Sequence, residues 1–352
     1  MEGFDPRIEH ASTLPSRCYL DGETLEAENR RIFARTWQLV GRAAQVREPG
    51  EYFTATVANE PLLIVRGADG VLRAMSNVCR HRAGPVARGA GRRPVLQCGY
   101  HGWTYGLEGK LLQTPEFDGV DGFDREACTL PQFRVESWLG LVFVNLAADA
   151  PPLRDMLPEV IADLERIDDG GFLLAASKRW ELDCNWKVYV DNYLEGYHIP
   201  IVHPALFRAL DYARYWTETR GVHSLQHAPV KRSERLRGDD DVRYYWIFPN
   251  LMLNVYADNF STNLILPMGP GRTLTLFDWY FRDPAGAGPQ IEETVAFSDE
   301  IQLEDIEICE AVQRGLGSTT YDRGRYSPQR ENGVHHFHGL WLEAMAGGSA
   351  GQ

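Results

Sequence analysis

Two cysteine–histidine pairs on short loops constrain this chain more than any other feature of its sequence. The four residues are Cys79, His81, Cys98 and His101, with sixteen residues between the two pairs. Two thiolates on one iron and two neutral imidazoles on the other are the ligands of a Rieske [2Fe–2S] cluster. Because a Cys₂His₂ set can also bind tetrahedral zinc, the spacing alone leaves both metals open.

The residues around the two pairs distinguish these metals. Gly84-Pro85 follows the first pair, and the second pair lies in the segment Gly99-Tyr100-His101-Gly102-Trp103. This pattern resembles the Rieske motif of ring-hydroxylating oxygenases. We therefore expect the two pairs to hold a [2Fe–2S] cluster rather than zinc.

A second candidate metal site lies further along the chain, where His198 and His203 are five residues apart. On a straight helix, residues at this spacing point about 140° apart. Pro200 lies between them and disfavours the helical conformation at Ile199, so we predict a break or a π-type bulge that brings both imidazoles together. Two histidines and one carboxylate form the facial site of non-haem Fe(II) oxygenases, with open positions for O₂.

A predicted helix over residues 291–316 supplies the carboxylate. It carries an apolar stripe at helical spacing, interrupted by Asp305; the stripe consists of Ile301, Ile308, Val312 and Leu316. An acid that faces inward is costly unless it is paired or binds a metal, so Asp305 is the expected third ligand. Glu304 and Glu307 lie off the stripe and are expected to be solvated.

Glu195 lies three residues before His198 and shares a helical face with it. Two interpretations remain open for this acid. It is either a surface residue of an amphipathic helix or a hydrogen-bonding partner of the histidine that links the iron site to the next redox centre.

Hydrophobic patterns divide the 352 residues into three segments of an α+β protein. Residues 1–37 form an N-terminal helical segment, with a helix over 23–37, that packs on the catalytic domain. Residues 38–150 form a small antiparallel β domain that carries the cluster ligands. Residues 151–352 form a catalytic domain in which an antiparallel sheet packs on helices.

Charge and hydropathy exclude several classes of partner. The formal net charge of −13 argues against nucleic acid or an anionic membrane, since both require a basic surface. We find neither an apolar run of about 20 residues nor a secretory signal. A cytoplasmic location is therefore expected.

Together the two motifs resemble the α subunits of Rieske non-haem iron oxygenases, over nearly the whole chain. The segments DNYLEGYH, FPNLMLNVY and QLEDIEICEAVQRGL are most similar to the choline, glycine betaine and carnitine monooxygenase branch. The resemblance implies a helix-grip-like catalytic domain with a mononuclear Fe(II) held by His198, His203 and Asp305. It places Glu195 where the family has a bridging acid, and Asn192 of the same segment is the second candidate catalytic residue.

The resemblance also implies the partners. NAD(P)H electrons would come from a separate flavin/iron–sulfur reductase, because this chain has no GxGxxG motif. O₂ and a small molecule would be the substrates. Related chains tend to form homotrimers, in which electrons cross from one chain's cluster to the neighbour's iron.

We expect the substrate to be a small quaternary or tertiary ammonium compound, oxidised at a carbon next to nitrogen. Methylated cations are recognised by aromatic faces, and the candidate substrate-binding residues are Tyr193, Trp246 and Tyr256. Tyr244, Trp246 and Phe248 share one face of a predicted strand. Alternatives are an aromatic ring dihydroxylase, which would form a cis-diol, and a Rieske electron carrier, which would need only residues 38–147.

Overall fold

A computed structural model describes residues 4–166, 171–231, 242–256 and 258–347. The chain forms two compact units, one built from Met1–Ile32 together with Arg154–Gln352 and the other from Phe33–Leu153. The second unit is therefore inserted into the sequence of the first.

The regular structure of the inserted unit is mainly antiparallel strands, whose β-branched and aromatic residues favour this geometry. The strands are β1 (Gln38–Arg42), β2 (Glu51–Val57), β3 (Glu60–Arg66), β4 (Leu72–Ser76), β5 (Ala90–Arg92), β6 (Leu96–Gln97), β7 (Thr104–Tyr105), β8 (Leu111–Gln113), β9 (Gln132–Trp138) and β10 (Leu141–Asn145). Seven of them form a sheet in the order β1-β10-β9-β4-β3-β2-β5, and β6, β7 and β8 form a small second sheet. The first cysteine–histidine pair follows β4, and the second lies between β6 and β7.

The discontinuous unit begins with the short helices α1 (Arg17–Leu20) and α2 (Gly22–Glu28). The side chain of Asp21 accepts a hydrogen bond from the Glu23 N–H and caps α2. A π-helical turn over Asn29–Phe33 follows, and the helical segment ends there. The helix predicted over 23–37 is thus too long, because the chain turns into β1, and Trp37 donates its indole N–H to the Pro151 carbonyl.

A seven-stranded antiparallel sheet forms the centre of this unit, in the order β11-β17-β16-β15-β14-β13-β12. Its strands are β11 (Leu173–Leu182), β12 (Trp216–Arg220), β13 (His223–Ala228), β14 (Val242–Ile247), β15 (Leu251–Val255), β16 (Asn259–Gly269) and β17 (Arg272–Phe281). The helices are α3 (Leu153–Met156), α4 (Pro158–Leu164), α5 (Trp186–Tyr193), α6 (Ile199–Val202), α7 (Pro204–Ala209), α8 (Gly288–Leu316) and α9 (Asn332–Ala346). An antiparallel sheet with a long helix is the α+β arrangement predicted from the sequence.

One buried ion pair joins three distant parts of this unit. The carboxylate of Glu28, at the end of α2, accepts a hydrogen bond of 2.5 Å from Nζ of Lys187 in α5. It also accepts the indole N–H groups of Trp186, at 2.8 Å, and of Trp341 in α9, at 2.7 Å. Both charges are fully buried, and these donors compensate for the loss of water.

Across the described ranges, none of the helices is long and apolar enough to span a lipid bilayer.

Candidate functional site

The four predicted cluster ligands lie on two adjacent loops of the β unit. Cys79 and Cys98 are buried in a hydrophobic core of this unit. His81 and His101 lie nearer to solvent, with ring centroids 4.6 Å apart. Backbone bonds shape both loops, since the Cys79 N–H donates to the Gly84 carbonyl and the Cys98 N–H to the Trp103 carbonyl. Two sulfur and two imidazole donors therefore face each other across the loops.

The surroundings of these donors fit an iron–sulfur cluster. Nδ1 of His81 is buried, has no hydrogen-bond partner among the described residues, and is thus available to bind a metal. Burial and the neighbouring His101 lower the pKa of His81, which keeps its imidazole neutral at pH 7. Burial raises the pKa of the Cys98 thiol, whereas the backbone N–H groups of Tyr100 and His101, which donate to it, act in the opposite direction.

Tyr105 supports the buried side of this site. Its hydroxyl lies 3.2 Å from Sγ of Cys79 and accepts the Arg80 backbone N–H at 2.9 Å. Burial first, and then the hydrogen bond to Cys79, raise the pKa of Tyr105, so the phenol stays protonated and can donate to the sulfur. Hydrogen bonds to sulfur are one of the means by which proteins set cluster potentials.

The two other predicted histidines flank a very short helix. Helix α5 ends at Tyr193, His198 immediately precedes α6, and His203 lies between α6 and α7. Pro200 does not interrupt a helix, contrary to our prediction, because it occupies the first turn of α6, where its missing N–H costs nothing. The break lies instead in the non-helical residues after Tyr193.

His198, His203 and Asp305 form a compact group of ligand atoms within 4.8 Å of one another. Nε2 of His203 lies 3.1 Å from Nε2 of His198 and 3.0 Å from Oδ1 of Asp305. Burial alone would lower the pKa of His203, but its bonds with Asp305 and Glu304 raise it. Two imidazoles and one carboxylate on one side suit a non-haem Fe(II), with the remaining positions open.

Helix α8 presents Asp305 to these histidines, although its buried face differs from the predicted stripe. The buried residues Val295, Gln302, Cys309 and Leu316 recur every seven positions. Ile308 and Val312 of the predicted stripe are 36% and 44% exposed. Asp305 lies three residues after Gln302, and its Oδ1 accepts a hydrogen bond of 2.6 Å from Nδ2 of Asn192.

Each of the two histidines also contacts a carboxylate through its other ring nitrogen. Nδ1 of His198 lies 2.5 Å from Oε1 of Glu195, whose other oxygen accepts the His198 backbone N–H. Nδ1 of His203 lies 2.6 Å from Oε2 of Glu304. The prediction that Glu304 is solvated is therefore wrong, whereas Glu307 is exposed as expected.

A cavity of about 160 Å³ opens beside the three ligand atoms. Tyr193, Tyr244 and Tyr256 line it, as do Asn192 and Glu195. Burial raises the pKa of each of the three tyrosines, so their phenols are neutral. The cavity wall is thus rich in uncharged aromatic side chains.

Trp246 does not line this cavity, so its assignment as a substrate-binding residue is wrong. It shares a face of β14 with Tyr244, but its indole is fully buried against Phe337 of α9, with ring centroids 5.3 Å apart. Phe248 packs on the same indole. Period-two alternation shows which residues share a face of a strand. It does not show that the cavity reaches Tyr244 but not Trp246 on that face.

Many residues that line the cavity were not predicted from the sequence. They include Tyr215, Asn254, Asn259, Ser261, Asn263, Phe277, Trp279, Glu293 and Phe297. Alternation along β16 and β17 places alternate residues on one face. The pairing of these strands brings them opposite α5 and α8, and that pairing is not visible in the sequence.

A Cys₂His₂ loop pair suited to a [2Fe–2S] cluster, with a two-histidine, one-carboxylate site in the same chain, defines a Rieske oxygenase. The family profile for the Rieske [2Fe–2S] domain matches residues 36–131, and that for the ring hydroxylating alpha subunit (catalytic domain) matches residues 172–347. This chain belongs to the Rieske non-haem iron oxygenases of the ring-hydroxylating alpha-subunit family. Its cofactors are a [2Fe–2S] cluster and a mononuclear iron, and the electron-carrier alternative is excluded.

Relatives of known activity cover almost the whole chain. Choline monooxygenase of Arabidopsis thaliana is 35% identical, over 96% of this chain and 84% of that protein. The oxygenase subunit of carnitine monooxygenase of Escherichia coli (strain K12) is 32% identical, over 98% of this chain and 96% of that protein. A structure of the quaternary ammonium Rieske monooxygenase CntA with L-carnitine matches at a TM-score of 0.87 and 30% identity, over 98% of this chain and 100% of that chain.

Naphthalene 1,2-dioxygenase of Rhodococcus sp. shares the fold, with a TM-score of 0.80 and 19% identity over 95% of this chain and 94% of that chain.

Proposed function

We propose that this enzyme oxidises a C–H bond of a small quaternary or tertiary ammonium compound, by N-demethylation or hydroxylation. The observation that carries the proposal is the trio Tyr193, Tyr244 and Tyr256 in the cavity beside His198 and Asp305. A methylated ammonium group has no N–H to donate to a carboxylate, so aromatic faces bind it through cation–π contacts worth about 0.5–2 kcal/mol each. The relatives that act on choline and carnitine support this substrate class.

Two hydrogen bonds hold one wall of this cavity in place. The hydroxyl of Tyr193 donates to Oδ1 of Asn254 at 2.8 Å and lies 3.2 Å from the Tyr245 carbonyl. Tyr244 and Tyr256 meet edge to face, with centroids 6.4 Å apart and an interplanar angle of 79°. Because these contacts already orient the three tyrosine rings, the rings lose little side-chain entropy when a ligand binds.

Each metal centre has its own set of residues in this proposal. The sulfur and imidazole donors of Cys79, Cys98, His81 and His101 hold the cluster, while His198, His203 and Asp305 hold the mononuclear iron. When bound, these groups supply electron transfer and the reductive activation of O₂ for attack on a C–H bond.

The surrounding polar residues orient those ligands. Asn192 donates to Asp305 and fixes the direction of its carboxylate. Glu195 holds the Nδ1 proton of His198, so that Nε2 presents its lone pair to the metal. By resemblance to the family, Glu195 also connects the iron site to the redox centre that reduces it.

The proposed partners are a flavin/iron–sulfur reductase and two further copies of this chain, in the cytoplasm. One structure of the carnitine enzyme CntA is described as revealing inter-subunit electron transfer. A homotrimer in this protein would provide the same route between chains.

The test is substrate-dependent O₂ uptake with a surrogate reductase, over a panel of methylated amines and aromatic hydrocarbons. We expect uptake with ammonium compounds, and at least several-fold tighter binding of a trimethylammonium compound than of its neutral tert-butyl analogue. Asp305→Ala should abolish product formation and lose the mononuclear iron while the cluster stays reducible. The control is Glu307→Ala, at an exposed position of α8 two residues after Asp305. It should keep both the mononuclear iron and product formation. Equal affinity for the two analogues, or a cis-diol product, would overturn the proposal.

A further inference from the structure

One wall of the cavity is a patch of polar side chains on the central sheet. Asn259, Ser261 and Asn263 alternate along β16 and face the cavity, and Asn254 lies opposite Ser261 on β15. Sheet faces that pack against helices normally carry apolar residues, because buried polar groups must find hydrogen-bond partners. This patch therefore needs an explanation other than packing.

Two of these amides are incompletely satisfied. Asn259 and Asn263 are each only 5% exposed, and within the described ranges neither amide oxygen has a hydrogen-bond partner. Buried acceptors of this kind are rare in proteins, and they occur where a ligand or water completes the bond. Both residues line the cavity, so a bound molecule would be the partner that their amide oxygens lack.

The two amides lie at different ends of the cavity. Asn259 donates to Asp258, which accepts a hydrogen bond from Gln290 near the start of α8. Asn263 pairs across the sheet with Phe277 of β17. Two residues before Phe277 on the same strand, the Thr275 hydroxyl accepts a hydrogen bond from the Gln302 side chain. Gln302 precedes Asp305 by three residues, or about one helical turn. Asn263 therefore lies at the end of the cavity nearest to the candidate iron ligands.

The charges around the cavity have one sign. Among the described residues that line it, we find no lysine or arginine. Glu195 and Asp305 contact the histidines, whereas Asp258 and Glu293 lie towards the other end. Glu293 precedes Asp305 by twelve residues on α8, about 18 Å along the helix. These carboxylates favour a cation and disfavour a ligand that carries its own carboxylate.

We propose that the substrate is an ammonium cation that carries a hydroxyl group and no carboxylate, and that Asn263 determines this specificity by accepting a hydrogen bond from the hydroxyl. This inference rests on the proposed function and narrows it to amino alcohols. The tyrosines, with Asp258 and Glu293, bind the cationic end, and Asn263 binds the hydroxyl near the iron ligands. Among the described residues that line the cavity there is no lysine or arginine to pair with a carboxylate of the ligand.

Calorimetric binding of three probes to the purified holoenzyme tests the inference. The probes are choline, propyltrimethylammonium, which replaces the hydroxyl with a methyl group, and glycine betaine, which carries a carboxylate. We expect choline to bind about tenfold more tightly than propyltrimethylammonium, the factor that one ordinary hydrogen bond gives, and glycine betaine to bind most weakly. Asn263→Leu should remove the preference for choline while leaving the affinity for propyltrimethylammonium nearly unchanged.

The matched control is Thr262→Val, on the same strand but on its opposite face, which should retain the preference for choline. The inference fails if Asn263→Leu still prefers choline tenfold. Should that variant not fold, the wild-type series decides, because glycine betaine binding as tightly as choline also refutes the inference. A different result would refute the proposed function itself. In that case 3,3-dimethylbutan-1-ol, the neutral tert-butyl analogue of choline, would bind as tightly as choline.

Discussion

Glu304 and His203 form a hydrogen bond of 2.6 Å between Oε2 and Nδ1, on the side of the imidazole away from Asp305. The next residue, Asp305, lies 3.0 Å from Nε2 of the same ring. Two consecutive acids of one helix therefore hold both nitrogens of one histidine. A proton on Nδ1, donated to Glu304, would leave Nε2 with its lone pair for a metal.

We expect Glu304→Gln to weaken mononuclear iron binding by about 10–100-fold, because the amide holds the Nδ1 proton less firmly than the carboxylate does. Iron affinity is measured by titrating Fe(II) into protein from which only the mononuclear iron has been removed. Glu307→Gln, on an exposed position of the same helix, is the control. Unchanged iron affinity in Glu304→Gln would show that its contact with His203 is incidental.

Glu195→Ala should leave both metal centres occupied and slow electron transfer from the cluster to the iron site by about 10–100-fold. The reason is the loss of the 2.5 Å bond that orients His198 and, in our proposal, connects it to the reducing centre. Stopped-flow absorbance of the reduced cluster, in a single turnover with substrate and O₂, measures the rate. A wild-type rate would reduce Glu195 to a structural role.

Tyr105→Phe should lower the reduction potential of the cluster by roughly 40 mV. A donor to a cluster sulfur stabilises the reduced, more negative form, and a hydrogen bond of about 1 kcal/mol corresponds to this shift for one electron. Redox titration followed by EPR gives the midpoint. Tyr52→Phe, in the same hydrophobic core, is the matched control and should leave the potential unchanged.

Lys187→Met should destabilise the protein by about 3–5 kcal/mol, because it leaves the charge of Glu28 buried without its cation. Denaturant unfolding followed by tryptophan fluorescence measures the change. Arg30→Met removes the exposed pair with Glu26, at 3.9 Å, and should cost at most about 1 kcal/mol. Similar losses in the two variants would mean that the indole donors alone satisfy Glu28.

The sequence predicted those parts of the protein that depend on short segments. The cluster loops are local motifs, and the alternation of β residues identified an antiparallel domain around them. Asp305 was predicted to join His198 and His203 because it interrupts an apolar stripe. The three side chains do lie together, although Ile308 and Val312 of that stripe are exposed.

What the sequence did not predict depends on how distant segments pack. Glu304 looked solvated because the helical pattern of α8 does not reveal that His203 covers that side. Trp246 looked like a cavity residue because only the tertiary structure places Phe337 over it. The unsatisfied amides of Asn259 and Asn263 become apparent only when the strands are paired and the cavity is closed by helices.

The insertion of residues 33–153 between two parts of one unit has a consequence for synthesis on the ribosome. The β unit is contiguous, so all four of the proposed cluster ligands emerge before any of the three proposed iron ligands is made. Glu28, already translated, remains in water until Lys187 in α5 and then Trp341 in α9 become available. Cluster loading can therefore precede completion of the iron site. A polypeptide cut short before α9 would keep the two cluster loops, but Glu28 of α2 would lack the hydrogen bond from Trp341.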